Sequence, residues 1–207
     1  MSTMTETLHN EEALFIPDGD TTEARKDEYV PMVEGEYLGH IIESRTITRE
    51  FTKEDRLMKA RIFNFKVEVA QDNTRNKYTV NTKEITGEHY VGKHIMADGV
   101  FRFLEPTKDD TFESNAEGNK RYLMFCQSLG MQIPTEERTI NGKTVTVQIL
   151  PDIKEDDLNG TPVTAVVGRG QDWTDDTGKN RPSWRVKFTK LWADGKRLAT
   201  KTDDLPF

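Results

Sequence analysis

Hydrophobic and polar residues alternate over much of the chain after residue 34, and this period of two predicts β-strands. In the first strand, Tyr37 and Ile41 fall on one face, and Leu38 falls on the other. Gly99 interrupts a later apolar run and predicts a bulge or a sharp bend there. Strands are predicted at 35–48, 57–69, 94–104, 161–167 and 183–192, with a short β-like run at 77–81 and a hairpin at 139–150.

One segment, 119–129, follows a helical period instead. Its apolar residues Tyr122, Phe125, Cys126 and Leu129 fall at i, i+3, i+4 and i+7, and Gly130 suits the position just after a helix end. Cys126 lies on this apolar stripe without a nearby His or Asp motif, so we interpret it as a core thiol. The chain is therefore predicted to be all-β with one helix, a β-rich α+β class.

The predicted order is three strands, one helix and two strands, with the 139–150 hairpin as an addition. This is the element order of the OB-fold, a five-stranded barrel with its helix between the third and fourth strands. Such barrels bind oligonucleotides on strands 2 and 3, flanked by the 1–2 and 4–5 loops. Here those loops are predicted at 49–56 and 168–182.

Charge is distributed unevenly along the chain, whose net charge is −7. Residues 1–36 hold ten acidic and two basic side chains, whereas 37–202 hold 27 basic and 24 acidic ones. A slightly basic body with acidic ends fits a binder of polyanions whose tails contact other molecules, although acidic tails also simply increase solubility. We predict an acidic N-terminal arm at 1–34, an OB-fold single-strand-binding domain at 35–198 and an acidic partner-binding tail at 199–207.

Several classes of protein are disfavoured by the sequence. No apolar run approaches the roughly 20 residues of a membrane span, and we expect a cytoplasmic protein without a signal peptide. The single cysteine and four scattered histidines give no metal-ligand spacing, so no metal or cofactor is expected. Phosphate-binding loops and nucleophile elbows are missing, and adjacent aspartates on a strand point to opposite sides, so we expect no enzyme.

Two windows of the body, the first from Arg45 to Lys66 and the second from Arg169 to Arg197, combine basic and aromatic residues, as single-strand binding requires for phosphates and bases. We interpret Phe51 and Trp173, which lie in polar loops, as stacking residues, and Phe65 and Phe188 as core. Trp184 alternates with apolar neighbours, so a core position is an alternative for it, and the strand cations are alternatively an ordinary solvated face. The candidate residues are Arg45, Arg49, Phe51, Lys53, Arg56, Lys59, Arg61, Phe63, Trp173, Lys179, Arg181, Trp184, Arg185 and Lys187.

The chain ends in Asp203, Asp204, Leu205, Pro206 and Phe207. Pro206 favours an extended tip, so Phe207 presents an apolar ring and a free carboxylate. A partner with an apolar pocket and basic residues is suited to capture this tip, although chain termini also fray without a role.

The tip resembles the C-terminal tip of bacterial and phage single-stranded DNA-binding proteins. The body also looks like a family of phage single-stranded DNA-binding proteins, in Gly35-Glu36-Tyr37, Phe63-x-Phe65-x-Val67, Tyr90-Val91-Gly92-Lys93, Leu123 to Gly130 and Leu158-Asn159-Gly160-Thr161. This resemblance implies an OB-like core that protects single-stranded DNA during replication, recombination or repair in the cytoplasm of a bacterial host. It also implies that the tip recruits replication or recombination proteins.

Other interpretations stay open at this point. An OB-fold interaction module, a structural part of a virion and a metal-dependent nucleic-acid enzyme are the alternatives. Preference for DNA over RNA is likewise open, because nothing in the sequence reads or excludes a 2′-hydroxyl.

Overall fold

A computed structural model of the chain describes residues 30–109, 111–140 and 142–199. The predicted arm up to residue 29 and the tip Asp203 to Phe207 lie outside these residues. The strands are β1 (Gly35–Lys53), β2 (Arg56–Val69), β3 (Lys77–Val80), β4 (Lys83–Thr86), β5 (His94–Met96), β6 (Val100–Pro106), β7 (Phe112–Glu113), β8 (Thr135–Ile140), β9 (Lys143–Gln148), β10 (Pro162–Arg169), β11 (Trp173–Thr174), β12 (Asn180–Arg181) and β13 (Trp184–Leu191). The α-helices are α1 (Lys120–Ser128) and α2 (Glu155–Leu158), and 3-10 turns lie at Gln71–Arg75, Gly87–Tyr90 and Glu117–Asn119.

The main sheet has seven strands in the order β13-β10-β1-β2-β6-β7, with β5 also paired to β2. Its paired strands run antiparallel. Three two-stranded ribbons, β3–β4, β8–β9 and β11–β12, accompany it. The predicted β-rich α+β class with one main helix is confirmed.

Strand β1 is shared between two neighbours. Its first part pairs with β10, its second part pairs with β2, and the register with β2 shifts between Ile41 and Glu43. An isolated parallel bridge joins Ala97, which follows β5, to Val186 of β13. The bridge therefore joins β13, at one end of the strand order, to the segment between β5 and β6, beside the bend at Gly99, whose φ is +88°. The bend predicted at this glycine is confirmed.

One part of the core lies where β2 packs on α1. Phe63 stacks on Tyr122 and Phe65 on Phe125, with ring centroids 5.4 and 5.3 Å apart. Phe65 is buried, as predicted, whereas Phe188, also predicted as core, is 46% exposed. Cys126 is fully buried, and burial raises the pKa of its thiol to about 11, which suits a core position.

Helix α1 is one residue shorter at each end than predicted. It ends in the expected motif, because Gly130 has a φ of +77° and the N–H of Met131 donates to the carbonyl of Cys126 at 3.1 Å. At its start, the Asn119 side chain accepts from the Phe103 N–H at 2.6 Å and donates to the Phe103 carbonyl at 3.0 Å. These two bonds attach the helix start to β6.

The predicted loop at 49–56 is wrong. β1 continues to Lys53 and turns through Glu54 and Asp55, whose φ values are 51° and 60°. Positive φ at both central residues allows a two-residue hairpin turn, so the charged segment stays paired. The predicted loop at 168–182 likewise contains a ribbon, β11–β12, and β4 was not predicted.

Candidate nucleic-acid interface

One face of the sheet carries most of the candidate residues of the first window. Residues opposite each other in an antiparallel pair point to the same side of the sheet. The β1–β2 register pairs Arg49 with Ala60 and Phe51 with Met58, and the β2–β6 register continues from Ala60 to Phe103. We call the part of this side around the phenylalanines the aromatic face; it comprises Arg45, Ile47, Arg49, Phe51, Lys53, Arg56, Met58, Ala60, Ile62, Asn64, Phe101 and Phe103. Glu43 and Lys66 next to Arg45, and Glu105 next to Phe103, lie on the same side at its edges.

Three phenylalanines lie next to one another on the aromatic face. Phe101 and Phe103 are nearly parallel, with centroids 5.9 Å apart, and Phe51 meets Phe103 edge-on at 6.1 Å. Phe101 is 40% exposed and Phe103 is 37% exposed. Ala60 lies between Arg49 and Phe103, so a methyl group separates a cation from a ring. Exposed rings beside cations are the arrangement on which single-stranded bases stack.

Four cations of the aromatic face, Arg45, Arg49, Lys53 and Arg56, form no ion pair with another described residue. Among the acidic residues of this hairpin, Glu43 lies on the same side as Arg45 but is paired with Lys66. Glu50 alternates onto the opposite side, and Glu54 and Asp55 form the turn. These four cations therefore have no acidic partner among the described residues, although Glu43 and Glu105 lie at the edges of the same side.

The opposite side of the same hairpin holds the remaining candidates of this window. Lys59 pairs with Glu50 at 2.9 Å, and Arg61 pairs with Asp152 at 2.5 Å. Phe63 is fully buried against α1 and cannot stack on a base, which corrects its assignment to the binding site. Strand alternation thus separates Lys59, Arg61 and Phe63 from the aromatic face.

The second window is divided in a similar way. Arg185 and Lys187 of β13 lie close to two glycines in and just after β10. A Cβ at Gly168 would be 3.1 Å from Lys187 Cγ, and one at Gly170 would be 2.6 Å from Arg185 Cγ. Lys187 also pairs with Asp98 at 2.6 Å. Because Asp98 immediately precedes the bend into β6, Lys187 lies near the strand that carries Phe101 and Phe103.

The other candidates of this window belong to the β11–β12 ribbon or its base. Trp173 is 55% exposed, consistent with its predicted surface position, and it faces Arg181 across the ribbon. Arg181 pairs with Asp175 at 2.7 Å, Lys179 is exposed, and Trp184 is half-buried. The ribbon continues from the ends of β10 and β13 that lie beside the start of β1. The β1–β2 turn lies at the other end of β1.

Asp175 organises the tip of this ribbon. Its carboxylate accepts the Thr177 hydroxyl at 2.6 Å, the Lys179 N–H at 2.9 Å and the Arg181 guanidinium at 2.7 Å. Hydrogen bonds from Thr177 and then Arg181 lower the pKa of Asp175 to about 2. This carboxylate is therefore used within the ribbon.

Sequence reasoning missed Phe101 and Phe103 as site residues. The signal was present in the Phe-Arg-Phe spacing, which puts both rings on one side of a strand. The spacing does not say which side of β6 is exposed. Arg102, on the other side, pairs with Asp152 and its side chain is only 14% exposed, so a charged residue does not mark the exposed side here.

The described residues contain no group of three or more His, Cys, Asp or Glu side chains placed to hold a metal ion. Within the same ranges, no helix has the length and apolar character needed to span a bilayer. Comparison with protein-family models, curated proteins and solved structures finds no match to this chain.

Proposed function

We propose that this chain binds single-stranded DNA on the aromatic face, with little sequence preference, and protects it during replication, recombination or repair. The observation that carries this proposal is the grouping of three surface phenylalanines with four cations that have no acidic partner among the described residues. Stacking on rings tolerates any base, which accounts for the weak sequence preference.

We further propose that the body is an OB barrel. Strands β1, β2 and β5–β6 are the first three, α1 follows, and β10 and β13 are the fourth and fifth. Two pairings support this: β10 lies against the first part of β1, and the bridge between Ala97 and Val186 joins the third strand to the fifth. In such barrels the faces of strands 2 and 3 bind oligonucleotides, and here these are the strands that carry Ala60 and Phe103.

Magnitudes follow from the residues on the face. Each base stacked on Phe51, Phe101 or Phe103 contributes about 1–3 kcal/mol. If each of the four unpaired cations contacts one phosphate, log K falls with log salt concentration with a slope of about −3. Binding is then tight at low salt and weakens steeply as salt is added.

Partner recruitment belongs to the tip of the chain in this proposal. The Phe207 ring is its apolar anchor, and Asp203 and Asp204 supply charge for a basic pocket on a replication or recombination protein. The resemblance noted above supports action in the cytoplasm of a bacterial host.

A titration of oligo-dT against tryptophan fluorescence at several salt concentrations tests the proposal. Arg49→Ala removes a cation from the aromatic face, and Lys59→Ala removes one from the opposite side of the same hairpin. We expect Arg49→Ala to weaken binding and reduce the salt slope by about 0.7, with Lys59→Ala close to wild type.

Two results would count against it. Absence of salt-dependent binding by the wild-type chain at low ionic strength contradicts the function itself. A larger effect of Lys59→Ala than of Arg49→Ala contradicts the choice of face and leaves the function standing.

A further inference from the structure

A cleft of about 380 Å³ borders the aromatic face, between β6, β13 and α1. Phe101 and Phe103 line it on one side, Phe188 lines it on another, and Met124 of α1 lies beside them. Phe188 is 46% and Met124 58% exposed, so a good part of this apolar lining is open to solvent. Its volume is at the small end of the range for sites that hold a compact ligand.

Cations surround this apolar lining. Lys120 and Arg121 line the cleft from α1, Lys187 lines it from β13, and Glu117 is the acidic residue among the lining side chains. Lys120 and Arg121 also occupy the first turn of α1, which contains no acidic residue. The helix macrodipole disfavours cations there, so an anion bound at this end of the cleft offsets an unfavourable placement.

We infer that the cleft is a further base-binding subsite, in which single-stranded DNA leaving the aromatic face inserts one base against Phe188 and Met124. The phosphate of that nucleotide contacts Lys120 and Arg121. This inference rests on the proposed function and extends it past the edge of β6.

The cleft and the aromatic face are continuous, and this favours a nucleic acid over a protein segment as the occupant. Phe101 and Phe103 belong to both surfaces, so a strand stacked on these rings is already at the mouth of the cleft. The combination of rings inside and cations at the rim matches a base with its phosphate.

Binding of an oligo-dT length series by the full chain tests this inference. Phe188→Ala removes the ring in the cleft, and Leu191→Ala, a 55% exposed residue on the same strand outside the lining, is its control. We expect Phe188→Ala to weaken binding of long oligonucleotides roughly 5- to 150-fold, with little effect on those short enough to occupy only the aromatic face. Leu191→Ala is expected to bind as wild type.

A second pair of variants keeps the test valid if Phe188→Ala unfolds, which thermal melting will reveal. Arg121→Glu reverses a charge at the cleft, and Lys143→Glu reverses an exposed charge on β9. Oligonucleotides carrying 5-iodouracil at one position should crosslink to the peptide containing Met124 in the wild-type chain.

The outcomes separate the inference from the function beneath it. If Arg49→Ala weakens binding while Phe188→Ala and Arg121→Glu bind every length as wild type, the cleft is not a subsite and the proposed function stands. If the wild-type chain binds no oligonucleotide, both fail. If a peptide of the last five residues, rather than an oligonucleotide, occupies the cleft and protects Met124 from oxidation, the occupant is an acidic peptide and the inference is overturned.

Discussion

Phe65 and Phe103 provide a matched test of which side of the sheet is core and which is interface. Phe65 is 3% exposed and its ring lies 5.3 Å from that of Phe125. Replacing it with alanine removes the stacked pair and leaves a cavity, which costs about 3–5 kcal/mol of unfolding free energy. Phe103 is 37% exposed, so water can fill the space its ring leaves. We expect Phe103→Ala to cost only about 1–2 kcal/mol.

Binding should show the reverse order. Loss of the Phe103 ring removes a stacking surface and should weaken oligo-dT binding by about 1–3 kcal/mol, or roughly 5- to 150-fold. Phe65 also lines the cleft, so Phe65→Ala should retain the affinity of wild type for oligonucleotides short enough to occupy only the aromatic face, at temperatures where it is folded. Thermal melting should separate the variants clearly, because each kcal/mol shifts Tm by roughly 2–4 °C at this size, which gives about 6–20 °C for Phe65→Ala.

Urea unfolding and fluorescence titration of both variants, with wild type alongside, complete the measurement. A stability loss below about 1.5 kcal/mol for Phe65→Ala would refute its core position. Unchanged affinity of a folded Phe103→Ala protein would refute the aromatic face as the site of stacking, whatever the stability data show.

Three further predictions concern the ribbon and the tip. Trp173→Ala should weaken oligo-dT binding with little change in Tm, because the ring is 55% exposed; a variant that unfolds while binding normally would show that Trp173 is structural. Deletion of residues 203–207 should keep or slightly strengthen DNA binding, because it removes acids that compete with phosphates, and should abolish partner capture in pull-downs. Phe207→Ala should lose only partner capture. Loss of DNA binding on deletion would show that the tip is part of the binding site. The pKa of Asp175 is lowered to about 2, so its contribution to ribbon stability is present above the usual pKa near 4 and is lost as pH falls towards 2. Protection of the ribbon amides from exchange, relative to an unfolded reference at the same pH, should fall over that window in wild type, and the same fall in Asp175→Ala would contradict this.

The class of fold could be predicted from the sequence because its signals are local. Alternation indicated the strands, and the Tyr122 to Leu129 spacing with Gly130 indicated the one main helix and its end. The long β1–β2 hairpin was missed because charged residues at 49–56 resemble a loop by composition. Its pairing depends on a turn with positive φ at Glu54 and Asp55, residues that composition does not distinguish from any charged pair.

The candidate site was predictable in part for the same reason. Arg45, Arg49 and Phe51 share a face because they are an even number of residues apart along one strand, and the register of the hairpin separates them from Lys59. The role of Phe103 depended on the register between β2 and β6, which is set by long-range pairing. The cleft near Phe188 depended on the approach of β13 to β6, which no local pattern indicates.

The Asn119 amide has a consequence for how this chain behaves among its own copies. A strand edge with open N–H and C=O groups is a template onto which another chain can add a strand, and this is a common route to aggregation. At Phe103 both groups are already occupied by one side chain. The molecule thereby blocks addition of a foreign strand at Phe103, beside its exposed phenylalanines, without covering the rings themselves.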